Sequence, residues 1–190
     1  MGVKEQMVGI LRNSETRRIG FTFASTTGSD ISVDQTTFER VAAALQRDEI
    51  AVSEGRFSDD TAMYSARTDL RRHSAANTFY LGSNPRWSRS FDALIVHESV
   101  HASFDLTRSS LQWVDNEAAA YIAQGFYLRN SGYPRTRLEL GALAAIGYDY
   151  IDDIRDNEGD GAFFLNALRE QLRVRPMYHD YIAGRFDGNG

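Results

Sequence analysis

The segment from Phe91 to Leu106 is apolar at most positions, yet it contains His97-Glu98-Ser99-Val100-His101. That combination limits what the segment can become. Its apolar residues fall on two flanks of a helix, and two histidines four apart on a helix project from one face, one turn apart. Advancing about 100° per residue from His97 brings His101 to about 40°, and Asp105 and Glu98 to about 80–100°. Asp92, Ser99 and Ser103 gather at about 200–240°, nearly opposite. Solvent explains that second stripe. The histidine stripe needs another reason, because buried ionisable groups are costly unless paired or metal-bound. A shared metal ion supplies one: both imidazoles reach a single zinc, and Glu98 works on the water that the ion holds. The pattern predicts a zinc-dependent hydrolase, with His97 and His101 as ligands and Glu98 as general base.

A catalytic zinc site takes three protein ligands and a water. The chain has no cysteine, so the third must be a histidine or a carboxylate. His73, His179 and the carboxylates after the motif are the candidates, and Glu117 is favoured among them. A turn over Thr107–Gln112 leaves room for a return helix, on which Glu117 shares a face with Trp113, Val114, Tyr121 and Gln124. A charge on an apolar stripe points inward; the alternative is an exposed first-turn glutamate favoured by the helix dipole. Tyr121, one turn on, is either a stabiliser of the developing oxyanion or a core aromatic with a satisfied hydroxyl. His179 is a second candidate for that oxyanion role, against an ordinary surface histidine. Asp105 is expected to partner a zinc-bound imidazole without ligating the metal.

At 190 residues the chain suits one domain spanning 1–190. No apolar run is long enough to span a membrane, and residues 1–21 lack the apolar stretch of a secretory signal. The expected location is therefore cytoplasmic, or reached by a signal-independent secretion route. A net charge of −5 argues against a nucleic-acid partner. The expected partner is a peptide or protein substrate, and oligomeric state stays open. Arg71-Arg72-His73 reads as a solvated face or turn. Asp156–Gly161 alternates acids before a glycine, but Ala167 stands where a calcium loop needs a glutamate, so an acidic turn capping the final helix is expected.

Along the chain, residues 3–12 read as a helix and Arg18–Ala24 as a strand that ends in the turn Ser25–Asp30. Asp34 is a candidate N-cap for a helix to about Arg47, with Phe38, Val41, Ala42 and Leu45 on its inner face. Three extended segments follow, Ile50–Ser53, Thr61–Ala66 and Asn77–Leu81, before the break at Gly82–Pro85. Helices are expected over 88–106, 113–131, 137–148 and 161–173, with Gly188–Gly190 frayed. Strands first and helices later make an α+β domain.

HExxH followed by a glutamate on the next helix resembles the gluzincin metallopeptidases, the thermolysin-like division of the zincins. The likeness covers about residues 76–131. Asn116-Glu117-Ala118 is similar to the Asn-Glu-Ala around the third ligand of thermolysin-type enzymes, and Asp105 stands where those have an aspartate four residues after the second histidine. The resemblance implies a zincin-like fold, zinc held by His97, His101 and Glu117, and Glu98 as base. It also suggests that Asn77–Leu81 is the strand that borders the cleft and pairs with an extended substrate. Three features depart from the pattern. The gap from His101 to Glu117 is shorter than in thermolysin, Tyr121 replaces an aspartate that orients a ligand histidine, and residues 1–70 match no specificity region. Residues 117–123 are also similar to the glutamate helix of small bacterial HExxH domains, some of them cargo of polymorphic toxins or injected effectors. The expected function is a zinc metallopeptidase, and the likeness to those small domains suggests an effector or toxin domain. The alternatives are a zinc amidase acting on cell-wall peptides and a non-catalytic binding module with structural zinc.

Overall fold

A computed structural model describes residues 2–57, 61–70, 73–83, 87–156 and 159–190. The chain opens with α1 (Val3–Arg12), which buries Met7, Ile10 and Leu11, and a short α2 (Ser14–Arg17) whose Thr16 amide is capped by Asn13. Next come β1 (Phe21–Ala24) and β2 (Asp30–Val33), an antiparallel pair in which Phe21 stands opposite Val33. The sequence pattern showed β1 and its turn but not β2, because Asp30-Ile-Ser-Val is too short to display its alternation. Asp34 then caps α3 (Gln35–Gln46), accepting from the amides of Thr36 and Thr37, and the helix buries Phe38, Val41, Ala42 and Leu45 as expected.

The three extended segments form one sheet of β3 (Ala51–Phe57), β4 (Ala62–Ser65) and β5 (Thr78–Gly82), in the order β3-β5-β4. β5 is parallel to β3 and antiparallel to β4, and is buried throughout, which is why its sequence shows no polar-apolar alternation. This overturns the expectation that Asn77–Leu81 borders the cleft with a free edge. Flanked on both sides, β5 has no edge to offer; among the described residues β4 is an outer strand.

Two long helices follow, α4 (Arg89–Leu106) and α5 (Trp113–Asn130). They pack on each other, and α4 also meets α3 and β4. The stripe of α4 assigned to solvent is buried instead. Ser99 is fully enclosed and returns its hydroxyl to Ile95 O at 2.7 Å, while Ser103 Oγ accepts from Arg40 at 2.6 Å. Asp92 remains only half-buried on that side. A helix covered on every side needs its small polar residues paired locally, and these two are.

Beyond α5 the chain makes a 3-10 turn at Arg135–Arg137 and reverses through Gly141 at φ 79° before α6 (Leu143–Asp156) begins. The helix expected at 137–148 therefore starts and ends later. α5 and α6 cross with backbones touching: a Cβ on Gly147 would lie 2.3 Å from Tyr121 O, and one on Gly125 would lie 2.5 Å from Gly147 C. Asp160 caps α7 (Ala162–Val174) through the Ala162 amide, consistent with a capping turn; Asn157 and Glu158 of that turn lie outside the described residues. Arg71 and Arg72 also lie outside them.

The C-terminal residues do not fray. β6 (Ser110–Gln112) pairs antiparallel with β7 (Arg185–Asp187), and Asn189 bonds to Asp105. Asp115, wholly buried in the first turn of α5, takes two bonds from Arg169 of α7 and two from Thr26, which fixes where α5 starts. The result is an α+β fold. Among the described residues no helix is long and apolar enough to cross a membrane.

Candidate metal centre

α4 presents His97, Glu98 and His101, and α5 presents Glu117, each between 4% and 8% exposed. The two Nε2 atoms face each other at 3.3 Å. Glu117 bridges them, with Oε2 3.7 Å from His97 Nε2 and Oε1 3.8 Å from His101 Nε2. Tetrahedral zinc bonded at about 2.0–2.1 Å sets its ligand atoms about 3.3–3.4 Å apart, so these spacings sit close to that edge length. Donor atoms of His97, Glu98 and His101 also lie within 4.8 Å of one another. Glu117 is nevertheless the better third donor. It approaches both imidazoles, whereas Glu98 Oε1 approaches only His97, at 3.9 Å, and Glu98 Oε2 accepts the Tyr64 backbone amide at 2.8 Å.

Each imidazole has a neighbour on its far nitrogen. Asn116 Oδ1 lies 2.9 Å from His101 Nδ1. Gln124 stands near enough to His97 to favour its protonated form, yet His97 Nδ1 and Gln124 Oε1 make no hydrogen bond of ordinary geometry. Both atoms are buried without a partner. Asp105 does not partner an imidazole as expected. Its oxygens are taken by Tyr64 Oη and Asn189 N, at 2.6 and 2.8 Å.

The charge balance of this pocket is unfavourable as it stands. Burial holds His97 neutral, with its pKa down to about 3. Burial lowers His101 as well, and nearby Glu117 only partly offsets it. Burial raises Glu98 well above the carboxylate range, and the carboxylate of Glu117 adds to that. Glu117 is itself raised, by burial first. Among the described residues, no lysine or arginine forms an ion pair with either glutamate. Two unprotonated imidazoles and two buried carboxyl groups without a lysine or arginine partner converge at one point, a donor set suited to a divalent cation.

The centre opens on a cleft of about 730 Å³, bordered by β4, Leu94, Trp113, Tyr178, Tyr181 and Phe186. Tyr121 packs edge-on against His97, with ring centroids 4.4 Å apart, and its Oη lies 2.6 Å from Tyr178 Oη. Burial and the Glu117 carboxylate push both phenols well above their ordinary pKa, so both keep their protons. His179, a candidate for the oxyanion role against an ordinary surface histidine, is exposed and does not line the cleft, whereas its buried neighbour Tyr178 does. His73 is exposed on a turn away from the cluster. Nothing in the sequence separated Tyr178 from His179, since both lie in a segment without periodicity. The sequence did not single out Tyr64, because its bond to Glu98 is made by the backbone amide. Comparison with protein-family models, with curated proteins and with solved structures gives no match to this chain.

Proposed function

We propose that the protein is a zinc-dependent metallopeptidase of zincin-like build, with zinc held by His97, His101 and Glu117. The observation that carries the reading is the division of labour between two buried glutamates. Glu117 bridges both Nε2 atoms, while Glu98 is held aside by the Tyr64 amide with its second oxygen turned toward His97.

Zinc bound there supplies a Lewis acid and lowers the pKa of its water toward neutrality. Glu98 Oε1 takes the proton of the attacking water and delivers it to the leaving nitrogen, so the carboxylate ends the cycle as it began. Burial, which raises the proton affinity of Glu98, suits a group that must hold that proton between the two steps. The Tyr121–Tyr178 pair carries two phenolic protons and spends one on its mutual bond. The other is available to the carbonyl oxygen as that atom gains charge. The edge of β4 that faces away from β5, whose Tyr64 amide is given to Glu98, has its remaining backbone groups to offer to an extended peptide lying along the cleft.

The test is a peptide-library cleavage assay of zinc-loaded wild type and Glu98→Gln, with elemental analysis of both. Cleavage by wild type alone, at equal zinc content, is expected. An active Glu98→Gln protein refutes the mechanism. Hydrolysis of cell-wall peptides in place of protein segments transfers the chemistry to an amidase. Full zinc with no hydrolysis at all favours a binding module.

A further inference from the structure

The C-terminal residues reach the last turn of α4. Beyond β7, Gly188 passes so close to that helix that a Cβ would lie 2.7 Å from Phe104 O and 2.8 Å from Asp105 O. Asn189 N then donates to Asp105 Oδ1 at 2.8 Å, and Asn189 Nδ2 donates to Ala66 O at 2.9 Å, just past the end of β4. Arg67 fastens the same stretch by donating to Asp187 O at 2.7 Å. Asp105 is fully buried, and its other oxygen accepts Tyr64 Oη at 2.6 Å. Tyr64 in turn donates its backbone N–H to Glu98 Oε2.

We propose that Asn189, Asp105 and Tyr64 form a positioning strap that holds Glu98 in its working orientation. A buried carboxylate requires donors, and here the two come from distant segments, so Asp105 ties the C-terminal stretch to β4. Tyr64 is pinned at both ends, by its phenol to Asp105 and by its amide to Glu98, while its ring packs on Phe79 at 5.1 Å. Sliding of β4 along α4 would have to break both bonds. The bond that Glu98 receives lies on the strand edge facing away from β5, so no ladder partner holds that amide in place of Glu98. The strap touches neither metal ligand nor scissile bond; it acts on the rate by keeping Glu98 Oε1 aimed. This rests on Glu98 being the base of the proposed peptidase.

Two variants cut the strap at different points. Asn189→Pro removes the donor to Asp105 Oδ1, and Tyr64→Phe removes the donor to Oδ2 while keeping the ring. In the zinc-loaded full chain, amide exchange at Tyr64 is expected to quicken about tenfold in each. The kcat for peptide hydrolysis is expected to fall about tenfold, with KM within about twofold and zinc content unchanged. The double variant falls no further than the worse single one, because both act through one carboxylate. Unchanged exchange at Tyr64, or unchanged kcat beside faster exchange, overturns the strap. Faster exchange in the variants with no hydrolysis even by wild type upholds the strap as the holder of Glu98 and removes the peptidase reading instead. If Tyr64→Phe does not fold, Asn189→Pro, at an exposed residue, decides alone.

Discussion

Asn116 Oδ1 lies 2.9 Å from His101 Nδ1, one residue before the carboxylate that bridges both histidines. An amide oxygen only accepts, so this contact places the proton on Nδ1 and leaves the Nε2 lone pair facing His97. One turn of α5 thus supplies a carboxylate donor and sets the tautomer of an imidazole on α4. The Arg169–Asp115 pair, buried one residue earlier, fixes that turn against α7.

The first expectation is one zinc per chain. His97→Ala and His101→Ala should abolish stoichiometric binding, and full zinc in both variants would refute the site. Glu117→Ala should weaken binding less completely, since water or Glu98 can stand in. Asn116→Ala should cost about tenfold to a hundredfold in affinity, because it frees the ring to adopt the other tautomer. Competition against a chromophoric chelator measures all four.

The tyrosine pair predicts a rate effect without a binding effect. Tyr178→Phe leaves Tyr121 with a free proton but loses its anchor; Tyr121→Phe removes the hydroxyl beside His97. Each should lower kcat by up to about a hundredfold, in the range of a lost oxyanion donor, with little change in KM. Wild-type rates in both variants would remove the phenols from the mechanism.

The convergence of His97, Glu98, His101 and Glu117 was legible because its geometry is local: HExxH spacing needs only a helix, and Glu117 is an inward-facing charge on the next one. What escaped depended on tertiary pairing. Ser99 and Ser103 look solvent-facing until Arg40 and the covering elements are known. Asp105 stands on the histidine face, and only the approach of Tyr64 and Asn189 shows where its oxygens go. The free edge of the sheet could not be read from strand composition, since the order β3-β5-β4 places the segment nearest the motif at the centre. The last residues read as frayed because glycine-rich ends usually are; here Gly188 is needed for its close approach to α4.

Stability should show the Asp34 cap as an acid-labile term. The Thr36 hydroxyl first, and then the amides of Thr36 and Thr37, hold the Asp34 carboxyl below its ordinary pKa against the opposing effect of burial. The contribution is therefore present in full above the unfolded value of about 3.9 and is lost as pH falls through the lower folded one. Asp34→Ala should cost about 1 kcal/mol at neutral pH, or about 2–4 °C in Tm, with the difference from wild type closing as pH falls through the lowered folded pKa of Asp34. A difference that stays constant into strong acid would show that the carboxylate does not cap α3.

Gly147→Ala tests whether the α5–α6 crossing supports the site. The new methyl would meet the Tyr121 backbone, which cannot yield as a flexible side chain would. A loss of about 1–3 kcal/mol is expected, together with weaker zinc binding, because Tyr121 and Glu117 lie one turn apart on the displaced helix. Wild-type stability and affinity would mean that the helices separate without disturbing the centre.

Metal removal should weaken the fold without abolishing it. Without an ion, His97, Glu98, His101 and Glu117 remain a buried polar cluster with unfavourable charge states. An ion that binds only the folded chain stabilises it by about 2.7 kcal/mol at a hundredfold excess over Kd. At about 2–4 °C per kcal/mol for a chain of this length, chelation should lower Tm by roughly 5–10 °C. The helices should nevertheless persist. Ile95, Val96, Val100 and Ala102 of α4, and Ala118, Ala119, Ile122 and Phe126 of α5, are fully buried and pack with or without zinc. Thermal melts followed by far-UV circular dichroism, before and after chelation and again after zinc add-back, check this. An unchanged Tm after verified removal would mean that no ion clamps α4 to α5. Collapse of the helical signal on chelation would mean that the apolar flanks do not hold the pair together by themselves.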